Sequence, residues 1–304
     1  MDKLPLYDEY HAIVEGSASR WFHDNRCAVT DTKPFILQAH DNWRANIILD
    51  EVYAAVEPVR PRHTKIHHGL SSQALAFNLF GPLLVRNDWD AVRPAFEAQG
   101  IPWPTPACIG RFEYDDGSVF GEEGRDQPTS WDAALGSSLD RPSILIEVKF
   151  TEHDLGQCSV FKRGDCNGRN PAADYNLCYL HTNKQRRYLL VAEALGVLGS
   201  EAFSGAFCPF TIYYQFFREV MFATVKNACM AYVLDDRNPA LYFNTSDGPL
   251  GLIPFLLGTL PPNIATRVSV IPITSVIQAI EAFGRHRDWT GEFRKKYGFQ
   301  DRAA

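Results

Sequence analysis

The sequence predicts a layered α/β domain. Three observations carry that reading. Thr129–Gly136 and Ser143–Thr151 are strand-like runs on either side of a turn-like stretch, Ser137–Pro142. Cys229–Leu234 and Arg267–Ile273 are apolar runs with the length of buried strands. Helical spacing fills the intervals around them, over Gln185–Leu198, Thr211–Lys226 and Thr274–Phe283. Strands that alternate with helices build a sheet covered by helices.

In chain order, residues 1–60 read as mostly helical: Ile47, Ile48, Val52, Ala55 and Val56 recur at helical spacing until Pro58 and Pro61 end the run. Ser71 or Ser72 can cap a second helix through Leu75, Leu79, Leu83 and Leu84, which Pro82 should kink or end. Ile101–Pro106 holds three prolines and reads as a loop, and Ile109–Tyr114 as a short strand. Cys158–Tyr179 shows little periodicity and reads as an irregular insertion, at about 157–184. Trp289–Tyr297 reads as a short final helix. The expected organisation is a helical N-terminal extension over 1–66 and one catalytic domain over 67–304.

Composition narrows the function. Hydrophobic residues make up 45% and charged residues 22%, ordinary values for a globular protein. No stretch approaches the ~20 apolar residues of a membrane helix, and the acidic N-terminus is unlike a signal peptide. The expectation is a cytoplasmic protein that does not engage membranes. A net charge of −6 argues against coating nucleic acid by bulk charge. It leaves room for local phosphate contacts, because charge is unevenly spread. Pro58–His68 carries Arg60, Arg62, Lys65 and three histidines with no acid, whereas Glu113–Asp126 holds six acids against Arg125 alone.

The segment that carries chemistry is TSWDAALGSSLDRPSILIEVKFTE, Thr129–Glu152. Asp132 and Glu147 are equidistant from the turn midpoint between Leu139 and Asp140. In an antiparallel hairpin of that register they oppose each other, with Cβ atoms ~4.5–5.5 Å apart. Two carboxylates so placed can grip a divalent cation. Glu147 and Lys149 lie two apart on one strand and share a face. Charges beside the apolar Ile144, Ile146 and Val148 are costly unless paired or metal-bound. The competing reading is a solvated hairpin with a surface charge cluster.

Asp132, a hairpin turn and Glu147-Val148-Lys149 on the next strand resemble the PD-(D/E)XK nuclease superfamily. HHGLSSQALAFNLFGPLL at His67–Leu84, TSWDA at Thr129–Ala133, IEVKFTE at Ile146–Glu152 and CPFTIYYQFFREVMFA at Cys208–Ala223 resemble a bacterial family of restriction endonucleases within it. The resemblance implies a restriction-endonuclease-like mixed central sheet flanked by helices. It implies a Mg²⁺- or Mn²⁺-dependent nuclease acting on nucleic acid, DNA first, in restriction, phage defence or repair. Asp132 and Glu147 would hold the metal with the Val148 carbonyl. Lys149 would orient or help deprotonate the attacking water and neutralise charge in the transition state. Alternatives are an exonuclease or RNA nuclease with the same site, or an inactive nucleic-acid-binding scaffold. The oligomeric state stays open, a homodimer included.

Supporting positions follow. Glu113 precedes the hairpin and could add a metal carboxylate; Glu152 follows Glu147 and Lys149 but is odd by one from their face and falls past the strand end; for each the competing reading is a plain surface carboxylate. Relatives often carry a glutamate on the helix before the first core strand; here the Ser71–Leu84 helix has none, although Gln73 is polar. Gln215 and Arg218 are three apart on a helix and resemble a polar face turned to the active site and DNA. Cys158, Cys166, Cys178 and Cys208 are too loosely spaced for a C-x₂-C site, yet the first three lie in a segment short of core. They could hold Zn²⁺ or an iron–sulfur cluster, as some nucleases of this superfamily do, against the simpler reading of buried free thiols. Cys27, Cys108 and Cys229 read as core thiols. His63, His67 and His68 read as surface or phosphate-contacting histidines.

Overall fold

A computed structural model describes residues 6–124 and 128–299 of the chain. Arg125 and Asp126 of the acidic stretch, and the outermost residues of both ends of the chain, lie outside the described residues. The helices, in order, are α1 (Tyr7–Asp24), α2 (Asp50–Val56), α3 (Ser72–Arg86), α4 (Arg93–Glu97), α5 (Ser159–Lys162), α6 (Tyr179–Thr182), α7 (Tyr188–Ala194), α8 (Phe210–Val225), α9 (Leu252–Gly258), α10 (Pro262–Ala265), α11 (Ile273–Phe283) and α12 (Arg287–Tyr297). The strands are β1 (Ile109–Asp115), β2 (Ser130–Gly136), β3 (Ile144–Lys149), β4 (Cys229–Leu234), β5 (Phe243–Thr245), β6 (Gly248–Leu250) and β7 (Val268–Pro272).

Five strands form one mixed sheet in the order β1-β2-β3-β4-β7. β1, β2 and β3 are antiparallel; β3, β4 and β7 are parallel. The hairpin register matches the turn-midpoint argument: Ala133 pairs with Ile146, Ala134 with Leu145 and Leu135 with Ile144. β3 is buried along its whole length because it lies between two strands and under helices on both sides.

Each face of the sheet carries its own core. On one, Ile144, Ile146 and Val148 pack with Leu75, Phe77 and Leu79 of α3 and with Val276, Ile277 and Ile280 of α11. On the other, Leu145, Met230 and Tyr232 pack with Phe216, Phe217 and Val220 of α8. Tyr10, Val14, Trp43 and Val52 from the first 66 residues belong to the first of these cores. Trp21, Phe22 and Leu37 of the same segment form a small cluster of their own, with Cys27, Val29, Ala45 and Ile48 packed against it. α2 and α3 cross closely at Gly81, where an added Cβ would sit 2.4 Å from Val52 Cγ1.

Several expectations need adjustment. The first 60 residues are helical only in part, because 25–39 form turns and isolated bridges. α3 is capped as expected, Ser71 Oγ accepting the Ala74 N–H at 3.3 Å. It nevertheless runs through Pro82 to Arg86 and ends on left-handed Asn87. Burial of nearly the whole helix outweighs the hydrogen bond that proline removes. The helix expected over Gln185–Leu198 spans only Tyr188–Ala194, followed by a 3₁₀ turn over Val197–Gly199. The insertion contains only short turns, α5, Tyr175–Leu177 and α6.

Candidate active site

β1 and β2 lose their regular alternation at one point. Phe112 and Ala133 pair and face one core; Tyr114 and Trp131 pair and face the other. Between these pairs stand Glu113 and Asp132. Glu113 has φ +50, a left-handed conformation unusual for a residue with a side chain inside a strand. Such backbone costs of order 1–3 kcal/mol and concentrates where structure serves a site.

The β2–β3 ladder ends at Ala133–Ile146. One residue further, Asp132 Oδ2 accepts the Val148 N–H at 2.7 Å, so a side chain takes the place of a strand partner. By register Glu113, Asp132 and Glu147 fall in one row across β1, β2 and β3. This register is consistent with the expected opposition of Asp132 and Glu147, and Glu113 acts on both electrostatically.

Glu147 is only 8% exposed and Lys149 4%, so neither is the solvated surface charge of the competing reading. Lys149 Nζ donates to Glu147 Oε1 at 2.7 Å, and Gln215 Nε2 donates to the same oxygen at 2.8 Å. Burial alone would lower the Lys149 pKa, but Glu147, Glu219 and Glu152 raise it above its ordinary value. These neighbours favour its charged form.

Glu219 is a member that sequence reading missed. It lies on α8, 2% exposed, and accepts a hydrogen bond from Tyr232 Oη at 2.9 Å. Burial and the neighbouring Glu147 push its carboxyl up to about 8, against the opposing pull of Lys149. Asp132 is raised well above the usual range by burial, then by Glu147 and Glu113. Glu113 is pushed up to about 7 by burial, although its bond to Gln73 lowers it. These carboxylates repel one another in a low-dielectric setting, a condition that a cation relieves.

Gln73, on α3, reaches the row from the opposite side. Its Nε2 donates to Glu113 Oε1 at 2.6 Å and to the Pro61 carbonyl at 3.0 Å, while its Oε1 accepts the His63 N–H at 2.8 Å. This ties the basic 58–68 loop to the acidic row. His63 also lies within electrostatic reach of Lys149 and Glu152, while burial is the main cause of its lowered pKa. Arg60 and Lys65 of that loop are exposed.

The backbone after Lys149 is pinned. The Phe150 carbonyl accepts from Tyr10 Oη at 2.8 Å and from Asn238 Nδ2 at 2.8 Å. Glu152 Oε2 accepts the Phe150 N–H at 2.6 Å. Gly156, at φ +72, lets the following loop approach Gln215, whose Cβ would be 3.1 Å from an added Cβ. A break in α8 at Tyr213 leaves Tyr214 and Gln215 free to donate to the Gly156 and Leu155 carbonyls at 2.9 and 3.0 Å.

Gln215 and Arg218 do not act together. Gln215 meets Glu147, whereas the Arg218 guanidinium lies over the Tyr214 ring at 4.7 Å, beside Tyr188 and Glu122. Cys158 and Cys208 are buried, Cys166 and Cys178 half-buried, and all four line one cavity. Cys27, Cys108 and Cys229 are half-buried rather than fully in the core.

Among the described residues, no group of three or more His, Cys, Asp or Glu is already gathered to hold an ion. The donor chemistry of the row still fits Mg²⁺ or Mn²⁺. It offers hard carboxylate oxygens, and Mg²⁺ takes one or two carboxylates with waters and substrate phosphate rather than a full protein cage. Asp132, Glu147 and Glu113 each commit one oxygen to the bonds above and keep a second outside them. No helix among the described residues is long and apolar enough to cross a membrane.

A family model described as restriction endonuclease associating with ARP matches residues 17–298. No curated protein and no solved structure matches the chain.

Proposed function

We propose that this chain, which belongs to the family of restriction endonucleases associating with ARP, hydrolyses phosphodiester bonds of DNA with a divalent metal ion. The family description indicates a nuclease; DNA as substrate, metal dependence and an internal cut are parts of the proposal. One observation carries it: the Glu113–Asp132–Glu147 row, with buried Lys149 bonded to Glu147 where the β2–β3 ladder gives way. On this reading the mixed sheet is a restriction-endonuclease-like core in residues 67–304, and 1–66 is its extension.

Asp132 and Glu147 would hold Mg²⁺ or Mn²⁺, with Glu113 and the Val148 carbonyl completing the protein donors. The ion would polarise the scissile phosphate and acidify a bound water. Lys149 would orient the attacking water or help to deprotonate it, and would neutralise charge in the transition state. Gln215 holds Glu147 in place, and Gln73 does the same for Glu113 without the helix glutamate that relatives carry. Arg60 and Lys65, on the loop that Gln73 anchors, suit contact with the phosphate backbone, which supplies affinity without sequence information. A cytoplasmic role in restriction, phage defence or repair follows from the same reading.

The test offers the purified protein supercoiled plasmid, linear duplex and RNA, with Mg²⁺, Mn²⁺ or chelator. The proposal expects nicked and linearised plasmid in either metal and none in chelator. Cleavage in chelator contradicts metal dependence. Digestion of linear duplex or RNA with plasmid left intact contradicts the endonuclease and DNA assignments.

A further inference from the structure

We propose that Cys158, Cys166, Cys178 and Cys208 are the four thiolate ligands of one structural metal ion of the zinc class, separate from the carboxylate row. These positions are 8, 12 and 30 residues apart, yet their side chains line a single cavity. The cavity holds about 20 Å³ and is otherwise walled largely by apolar side chains, Val160, Phe161, Leu177 and Phe210 among them. A space of that size admits roughly one water-sized body. It suits a single ion better than a cluster of several irons and sulfides.

The backbone is arranged for thiolates. The Gly168 N–H donates to Cys166 Sγ at 3.4 Å. Leu180 and His181 donate theirs to Cys178, and Phe210 donates to Cys208. Three of the four sulfurs thus receive an N–H from the residue two positions on, which stabilises the negative sulfur a metal requires. The loops that carry them are laced together, Cys158 N–H to the Thr211 carbonyl at 3.3 Å and Cys208 N–H to the Gly168 carbonyl at 2.8 Å.

The segment lacks an ordinary source of stability. Between β3 and α7 its regular structure amounts to single turns, and a bound ion replaces missing core in such segments. As they stand the four sulfurs do not already surround one point. Loading would draw them inward around the ion.

The experiment uses full-length protein, purified without added metal and dialysed, with metal content measured by mass spectrometry. A mercurial titration then follows thiol modification and metal release together. The expected result is one zinc per chain, released as four thiols are modified. Cys166→Ser and Cys178→Ser should each reduce the content to near zero. Cys27→Ser, Cys108→Ser and Cys229→Ser should leave it at one. If the first two variants do not fold, the titration of the unaltered protein still decides. Absence of stoichiometric metal in that protein overturns the proposal, as does release that does not track four thiols. Iron with inorganic sulfide, seen as visible absorption, overturns the single-ion assignment.

Discussion

Asp132 Oδ2 accepts the Val148 N–H at 2.7 Å, one residue beyond the last β2–β3 pair. A carboxylate thereby sits where a strand carbonyl would, within electrostatic reach of Glu147 and Glu113. The arrangement is costly without a cation, because burial and both neighbours oppose ionisation of Asp132.

Replacing that charge should therefore stabilise the metal-free protein. Asp132→Asn keeps an oxygen to accept the Val148 N–H and removes one repelling carboxylate. The expected gain is about 1–2 kcal/mol, read as a rise of a few degrees in Tm in chelator. Cleavage by the same variant should fall by about 100-fold or more. A lower Tm would show that the ionised carboxylate supports the fold.

Stability in chelator should depend on pH in a defined direction. Glu219 and Glu113 have pKa values raised to about 8 and about 7, above their ordinary carboxylate range. The folded state keeps their protons where the unfolded chain releases them. Their contribution is thus fully present below about pH 4.5 and lost as pH rises through 7–8. Urea unfolding from pH 5 to 9 should show falling stability, and Glu219→Gln should remove much of the slope. A slope unchanged in that variant would contradict the assignment.

Gln73 acts on Glu113 through a 2.6 Å hydrogen bond and is a positioning residue. Gln73→Ala should reduce cleavage by about 10-fold. Losing the bond also lets the Glu113 pKa rise further, so the acid limb of the pH–rate profile should move to higher pH. A loss of rate with no displacement of the profile would indicate a merely structural effect.

Gly81→Ala tests the scaffold apart from the site. Its Cβ would meet Val52 Cγ1 at 2.4 Å where α2 crosses α3. The expected cost is about 1–3 kcal/mol in thermal unfolding. Cleavage well below the Tm should stay near that of the unaltered protein.

Much of this was legible in the sequence, for identifiable reasons. The β2–β3 register followed from turn symmetry, since antiparallel pairing counts outward from the turn and hairpin register is fixed by the turn. The endonuclease family followed from motifs spread over His67–Ala223, and the match over 17–298 bears it out. Gln73 and Glu219 escaped as partners because they reach the row from α3 and α8, far from it in sequence. The left-handed Glu113 escaped too, because nothing in a residue's type announces a break in alternation. Pro82 misled because propensity is weaker than the burial of an entire helix.

The most direct test of the central claim measures plasmid cleavage in Mg²⁺ by the unaltered protein, Glu147→Gln and Lys149→Met, each checked for folding by thermal melt. The account predicts cleavage by the first and a loss of about 100-fold or more in both folded variants. Undiminished cleavage in both would place the chemistry elsewhere in the molecule.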